Sequence, residues 1–439
     1  MIAVALRNLR HRPGGFVATF LSAFLGAALL MAFASLLDTA AATGDTASGE
    51  SLGTTAGVGG GWCLIIVAFA VTSTLSLAVR RRAEQVTLLR RIGATGPQLR
   101  RMIVGEAAAV ALLASAVAVP AGLALGRVLL TLMQNTGQVA EPVGYVFGPV
   151  ALGVGFGVTL LGSIAAGIAA ARRTSRPPGA KPARPRARRI AAVVFLLIGA
   201  NCSVLTATLM NGKGIDAMQT AGQAGIWAAI GLALLAPELL RLVTAVLGAP
   251  VRVLGGVAGE LAVLGVRGRT RPLAGAVMPV VLFTGIATGT VYMQDIEDKA
   301  SAGVAQPDYA QDVQTLNYVV VGMITLFVAI MLINTLIAAT AHRRREFAQQ
   351  RLAGATRGQL IAMVALEGLL VTVAGVLAGS LASLFTILPF GAARVDRVWP
   401  DAAPLAYALI VAIAVALTAA AMLGTTRRTL RGPAVAAVR

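Results

Sequence analysis

Residues 80–106 read RRRAEQVTLLRRIGATGPQLRRMIVGE, and residues 341–367 read AHRRREFAQQRLAGATRGQLIAMVALE. At an offset of 261 residues, Arg82 meets Arg343, Arg90 meets Arg351, and Gly93-Ala94-Thr95 meets Gly354-Ala355-Thr356. Gln98-Leu99 meets Gln359-Leu360, and Glu106 meets Glu367. Self-similarity at a fixed spacing marks a duplicated architecture. Val86, Leu89 and Ile92 form one apolar stripe at helical spacing. Arg90 and Arg91 stand where cations favour a helix C-terminus. Gly93 suits a left-handed stop. Thr95, three residues before Gln98, has capping-box spacing, and Pro97 suits the first turn of a new helix. Gly354, Thr356 and Gln359 repeat this logic. The pattern predicts short amphipathic helices over 83–92 and 346–353, each joined by a fixed corner to a longer helix.

Each copy follows one apolar run and leads into another. Hydrophobic residues make up 57% of the 439-residue chain, charged residues only 13%, and the mean hydropathy is +0.80. Runs of about 20 apolar residues are long enough to cross a hydrocarbon core of about 30 Å as helices. A backbone in lipid must satisfy its own hydrogen bonds, and these runs are too long and uniform for barrel strands. Ten spans are expected, near 16–37, 61–79, 102–126, 148–171, 190–210, 224–246, 272–293, 317–340, 360–388 and 404–424. The first exceeds the apolar core of a signal peptide and has a counterpart at 272–293, so it reads as a retained helix. The expected fold is an all-α polytopic membrane protein.

The surroundings repeat as well. Arg10-His11-Arg12-Pro13 precedes the first span and Arg269-Thr270-Arg271-Pro272 the seventh. Two four-helix modules of one design are expected, at 1–175 and 251–439. A basic linker and a central helix pair, 176–250, separate them. The stretch 172–189 (RRTSRPPGAKPARPRARR) is Pro- and Arg-rich and is expected to be irregular. The net charge is +19. With both termini placed inside, the inner side holds 32 of 37 Lys and Arg, and the outer loops hold 12 of 18 acids. That asymmetry sets both termini and the linker in the cytoplasm, and makes the basic excess an orientation signal and a lipid contact rather than a nucleic-acid surface. Arginine outnumbers lysine, which stands only at 181, 213 and 299, and Ala and Gly abound; this composition points to a high-GC bacterium and its inner membrane.

No Gly-x-x-x-x-Gly-Lys-Ser/Thr stretch occurs, so the chain has no phosphate loop for ATP. No catalytic residue, cofactor or metal site is expected. Cys63 and Cys202 lie in apolar spans, and His11 and His342 flank arginine clusters. Glu106 and Glu367 stand two to three turns into their helices. An acid there is a functional candidate, although a salt bridge to an arginine at the membrane edge is the favoured expectation. Gly122/Gly126, Gly153/Gly157, Gly285/Gly289 and Gly375/Gly379 have the spacing that lets helices approach closely. The outer loops near 38–60 and 294–316 carry acids but are too short for a folded domain.

The combined pattern, with Arg343, Arg344, Arg345, Glu346, Arg351, Gly354, Ala355, Thr356, Gln359 and Glu367 in the second copy, resembles the signature of the FtsX-like permease family of ABC transporters. The first copy departs from it: Glu84 sits one place early, and Gln85 takes the acidic position. The resemblance implies a permease subunit without enzymatic activity, and a separate ABC-type ATPase that binds the ATP, in two copies. The implied ATPase-coupling residues are Glu84, Arg90, Gly93, Thr95 and Gln98, with Glu346, Arg351, Gly354, Thr356 and Gln359. The stretches 3–12 and 255–270 are similar to the family's interfacial elbow helices. The short outer loops favour export of a hydrophobic or amphipathic substrate taken from the membrane. A mechanical signal transmitter to an extracellular partner and an ion-coupled secondary transporter are the alternatives.

Overall fold

The computed structural model describes residues 17–80, 93–174, 185–211, 214–301, 322–323, 325–337, 343–395 and 404–432. The described residues form twelve α-helices and no strand. They are α1 (Val17–Ala42), α2 (Thr46–Arg80), α3 (Gly96–Asn135), α4 (Pro149–Thr174), α5 (Pro185–Leu209) and α6 (Gly214–Leu234). The rest are α7 (Ala236–Gly268), α8 (Thr270–Ser301), α9 (Thr325–Ile337), α10 (Arg344–Leu352), α11 (Arg357–Val395) and α12 (Pro404–Leu430). Nine of them are long and apolar enough to cross a membrane: α1 to α5, α7, α8, α11 and α12. The helices fall into two compact units. One is Met1–Ala183 with Ala305–Phe327, the other Arg184–Val304 with Val328–Arg439.

In the first unit, α1 is the core helix, with Ala27, Ala28 and Met31 buried against Ala118 of α3. Gly122 of α3 and Gly155 of α4 both leave room for Met31. The loop expected near 38–60 shrinks to residues 43–45, because α1 runs on to Ala42 and α2 begins at Thr46. The reason is a helical stripe in which small residues flank one leucine: Ser48, Leu52, Ala56 and Gly59 are buried at intervals of three and four, with Phe33 against Gly59. Asp45 caps α2 by accepting from the backbone N–H groups of Ala47 and Ser48, and from the Ser48 hydroxyl. The bonds from Ser48 hold its carboxyl below the usual carboxylate range.

Asp38, expected in that solvated loop, is instead buried near the end of α1. Its oxygens accept from the backbone N–H groups of Gly148 (3.1 Å), Val150 (3.0 Å) and Ala151 (2.8 Å), at the start of α4. A carboxylate in one helix thus serves the orphan donors and positive dipole end of another. Thr39 exchanges two 3.2 Å bonds with the backbone of Val146, and Tyr145 donates to Ser35 at 3.0 Å. The segment between α3 and α4 is therefore pinned along α1.

In the second unit, α8 is the core helix. It runs parallel to α11, because Arg269 at its start meets Glu367 while Glu297 near its end meets Arg394. Between these ends the backbones nearly touch: a methyl group on Gly379 would stand 2.9 Å from the Gly285 nitrogen. Gly122/Gly126 and Gly375/Gly379 are likewise close-approach sites, whereas Gly153 and Gly157 face open space. α5 and α6 form an antiparallel hairpin, with Gly199 against Ala224 and Ala228, and Phe195 stacked on Trp227 at 5.4 Å. The Ser203 hydroxyl ties α5 to α11 through the Phe385 carbonyl at 2.7 Å.

The span expected at 224–246 is not one helix. α6 ends at Leu234, Leu235 leaves helical geometry (φ −85°, ψ 5°), and α7 restarts with proline in its first turn. Pro237 has no N–H to continue α6 but suits a helix start. α6 alone has 21 residues and runs about 30 Å at about 1.5 Å per residue. Of the span expected at 317–340, helix is described at 322–323 and 325–337. The linker expected irregular over 172–189 is helical up to Thr174 and again from Pro185. Residues 175–184, and the elbow expected at 3–12, lie outside the described residues.

Candidate functional site

The second copy of the repeated motif builds α10, its corner and the foot of α11. Phe347 and Ala348 turn inward, while Gln349 and Leu352 are exposed. The helix stops at Gly354, whose φ of 97° is left-handed. There the Gly354 N–H donates to the Arg351 carbonyl (3.1 Å) and the Ala355 N–H to the Gln350 carbonyl (2.9 Å). This is the bond pair that closes a helix through a left-handed glycine. Two residues on, the Thr356 N–H donates to Gln359 Oε1 (2.9 Å), and the Gln359 N–H to Thr356 Oγ1 (3.2 Å). Stop and start are thus satisfied within a few residues, which fixes the angle between α10 and α11.

The first copy has the same corner. Gly93 has φ 99°, and Thr95 is the N-cap of α3 with φ −77° and ψ 156°. Thr95 and Gln98 form a capping box, with the Thr95 N–H donating to Gln98 Oε1 at 3.0 Å. A side chain on Gly93 or Gly354 would meet nothing within 4 Å. Glycine is required there for its backbone conformation, not for space. The helix expected at 83–92, with Glu84 and Arg90, lies outside the described residues.

Four charged side chains close over the root of α10. Glu367 of α11 is fully buried. Its Oε1 accepts from Arg343 Nη2 (3.1 Å) and Arg269 Nη2 (3.0 Å), and its Oε2 from Arg343 Nη1. Glu346, in the first turn of α10, accepts from Arg269 Nη1 and, at 3.4 Å, from Arg343 Nε. The Arg343 guanidinium also lies 4.7 Å from the Phe347 ring centroid. Two cations face two carboxylates, so the cluster is neutral and each buried oxygen is used. Burying any one of these charges alone would cost several kcal/mol, about 3–5 on removal of a partner. The participation of Arg269 is not visible from the motif; its one trace in the sequence is the repeated Arg-x-Arg-Pro ahead of the first and seventh spans.

The far end of α10 is tied down as well. Arg351 Nη1 donates to the carbonyls of Gly432 (2.8 Å) and Leu430 (3.4 Å), at the C-terminal end of α12, where the helix dipole favours a cation. α10 is therefore braced to the start of α8 through Arg269, to α11 through Glu367 and the corner, and to α12 through Arg351. Glu106, the counterpart of Glu367, is likewise buried, on the face of α3 where Leu99, Ile103 and Ala107 pack with Ala166 and Ala171 of α4. Among the described residues no group of His, Cys, Asp and Glu is placed to hold a metal, and His11 and His342 lie outside them.

The chain matches no curated protein. Comparison with protein families matches residues 57–178, and again 318–434, to the FtsX-like permease C-terminal domain. Each match contains one of the two corners, and together they take up more than half of the chain. The chain belongs to the FtsX-like permease family and carries the family's C-terminal permease domain twice.

Proposed function

We propose that this chain is the membrane-spanning subunit of an ABC transporter. It couples ATP hydrolysis in a separate ATPase to export of a hydrophobic or amphipathic substrate. FtsX-like permeases are typically non-catalytic and generally pair with ABC ATPases. The observation that carries the proposal is the braced α10. A helix fixed at both ends to α8, α11 and α12 passes a push on its exposed side to three long helices at once. The exposed side offers Gln349 and Leu352, the latter 56% exposed. The basic asymmetry of the sequence puts α10, both termini and the 172–189 linker in the cytoplasm of a bacterial inner-membrane protein. Residues 1–175 and 251–439 are the two modules in this account, with 176–250 between them, and each module offers one ATPase subunit a docking helix.

The test is Leu352→Asp in the permease reconstituted with its ATPase. The substitution lies on an exposed face and leaves the charge cluster and the corner intact. Permease-stimulated ATP turnover should fall several-fold while the chain stays inserted and monodisperse. Full stimulation in this variant would contradict docking through α10.

A further inference from the structure

α7 has the length and apolar composition of a membrane span, yet its geometry is that of a hairpin. Inside it, Gly256 has φ 52° and ψ −133°, and the chain doubles back there. Gly248 faces Val263, Gly259 abuts the Val251 carbonyl, and Arg252 pairs with Glu260 at 3.4 Å. Two antiparallel arms, 236–255 and 257–268, result.

The ends of α7 fix how often it crosses. Both Glu238 oxygens accept from Arg188 Nη2 at 2.7 Å, so α7 starts beside the start of α5. α5 and α6 form a hairpin, so α6 returns to that side. α6 is antiparallel to α8, since Ala229 lies by Gly285 while Gly225 and Gly289 both lie by Thr386. α8 therefore starts on the side where α6 ends. Beginning and ending on one side, α7 crosses twice or not at all. Two crossings need two spanning arms, and residues 257–268 reach only about 18 Å at 1.5 Å per residue. The arm also lies across α11 rather than along it. A methyl on Gly255, at the tip, would meet Leu366, and one on Gly265, near the far end of the second arm, would meet the adjacent Glu367.

We propose that Ala236–Gly268 crosses no membrane: it is a two-armed hairpin laid in the interface on the α10 side, and its outer face binds an anionic lipid surface. Beyond the single elbow expected at 255–270, this adds the whole preceding arm and a ligand chemistry. On the first arm Leu242, Val246 and Val253 form an exposed stripe at helical spacing, with Arg241 and Arg252 beside it. The opposite side, Leu240, Val243 and Val251, is buried against the protein. At the tip, Val253 and Leu254 are 82% and 88% exposed, and Arg267 is exposed near the end of the second arm. An apolar stripe edged by arginines suits the boundary between acyl chains and headgroup phosphates. The second arm ends at Gly268, so its Arg267 lies two residues from Arg269 of the charge cluster that holds α10.

The inference rests on the cytoplasmic placement above only for which leaflet is involved. Nitroxides on Val246→Cys, Val253→Cys, Leu254→Cys and Leu264→Cys, each in the full chain, would be measured in nanodiscs of phosphatidylcholine with phosphatidylglycerol. Leu377→Cys of α11 is the deep reference. The four labels should share one shallow depth, about 5–10 Å below the headgroups. A gradient from 246 to 254 that reaches the depth of the reference would overturn the hairpin, and water-like accessibility at all four would overturn the lipid contact. Preference for brominated phosphatidylglycerol, read by quenching of a fluorophore attached at Leu254→Cys in place of the nitroxide, should fall about fivefold for each of Arg241→Gln and Arg267→Gln. An unchanged preference would overturn the anionic specificity. Sidedness is read separately by an impermeant thiol reagent at Ser175→Cys, expected shielded, and Asp308→Cys, expected labelled; its failure moves the hairpin to the other leaflet without changing its depth.

Discussion

The two modules agree at one end and diverge at the other. Their corners have the same geometry: left-handed glycines with φ of 99° and 97°, then threonine and glutamine in a capping box. At the opposite end an acid stands at matching positions 259 residues apart, Asp38 and Glu297. Asp38 takes three backbone N–H groups at the start of α4. Glu297 makes a bidentate pair with Arg394, at 2.6 and 2.7 Å. The part facing the proposed ATPase has kept its local chemistry in both copies. The far part has kept an acid and changed its partner, as expected if one end meets the same partner twice and the other is only required to stay closed.

The comparison is sharpest at the buried glutamates. Glu367→Ala strands Arg343, itself nearly buried, and Arg269 beside it. It should destabilise the second unit by about 3–5 kcal/mol, seen as a large drop in the thermal midpoint in detergent. The Glu367→Ala, Arg343→Met double variant should recover part of that loss, because no single buried charge remains unpaired. A small effect from Glu367→Ala alone would show that the cluster is not tightly closed.

The ends opposite the corners should differ by less. Asp38→Ala removes the acceptor of three N–H groups, one of them buried and two part-buried, and should cost about 2–3 kcal/mol. Glu297→Ala breaks a pair of which each side chain is about a quarter exposed, and should cost about 1 kcal/mol. Proteolytic susceptibility of the segment between α3 and α4 should rise with the first change and stay level with the second. Equal effects would remove the distinction drawn between the two ends.

Local chemistry makes the corners legible in the sequence. Glycine, threonine and glutamine act on neighbours within five residues, so their spacing carries the geometry. The apolar runs are legible for the same reason, since a span is set by its own length and composition. What escapes is set by distant partners or by small residues. Asp38 reads as a loop acid because the amides it caps lie 110 residues and more away. The start of α2 reads as a loop because its buried stripe has one large apolar side chain, Leu52, among Ser48, Ala56 and Gly59. The sixth span reads as 224–246 because hydropathy runs smoothly through Leu235, while Pro237 and Gly256 decide where the chain turns. Glu367 is legible as an acid in need of an arginine; that Arg269 would join Arg343 there is not, as 98 residues separate it from the glutamate.

The smallest structural change is at the corners themselves. Thr95→Ala with Thr356→Ala removes one capping hydroxyl from each corner, about 1 kcal/mol apiece, and touches no buried charge. If the corners transmit the push on α10 and its counterpart, the double variant should be inserted and folded as before. Its substrate-stimulated ATP turnover with the reconstituted ATPase should fall several-fold, with each single variant intermediate. Wild-type stimulation in the double variant would contradict the account, leaving the corners as anchors and placing the coupling elsewhere.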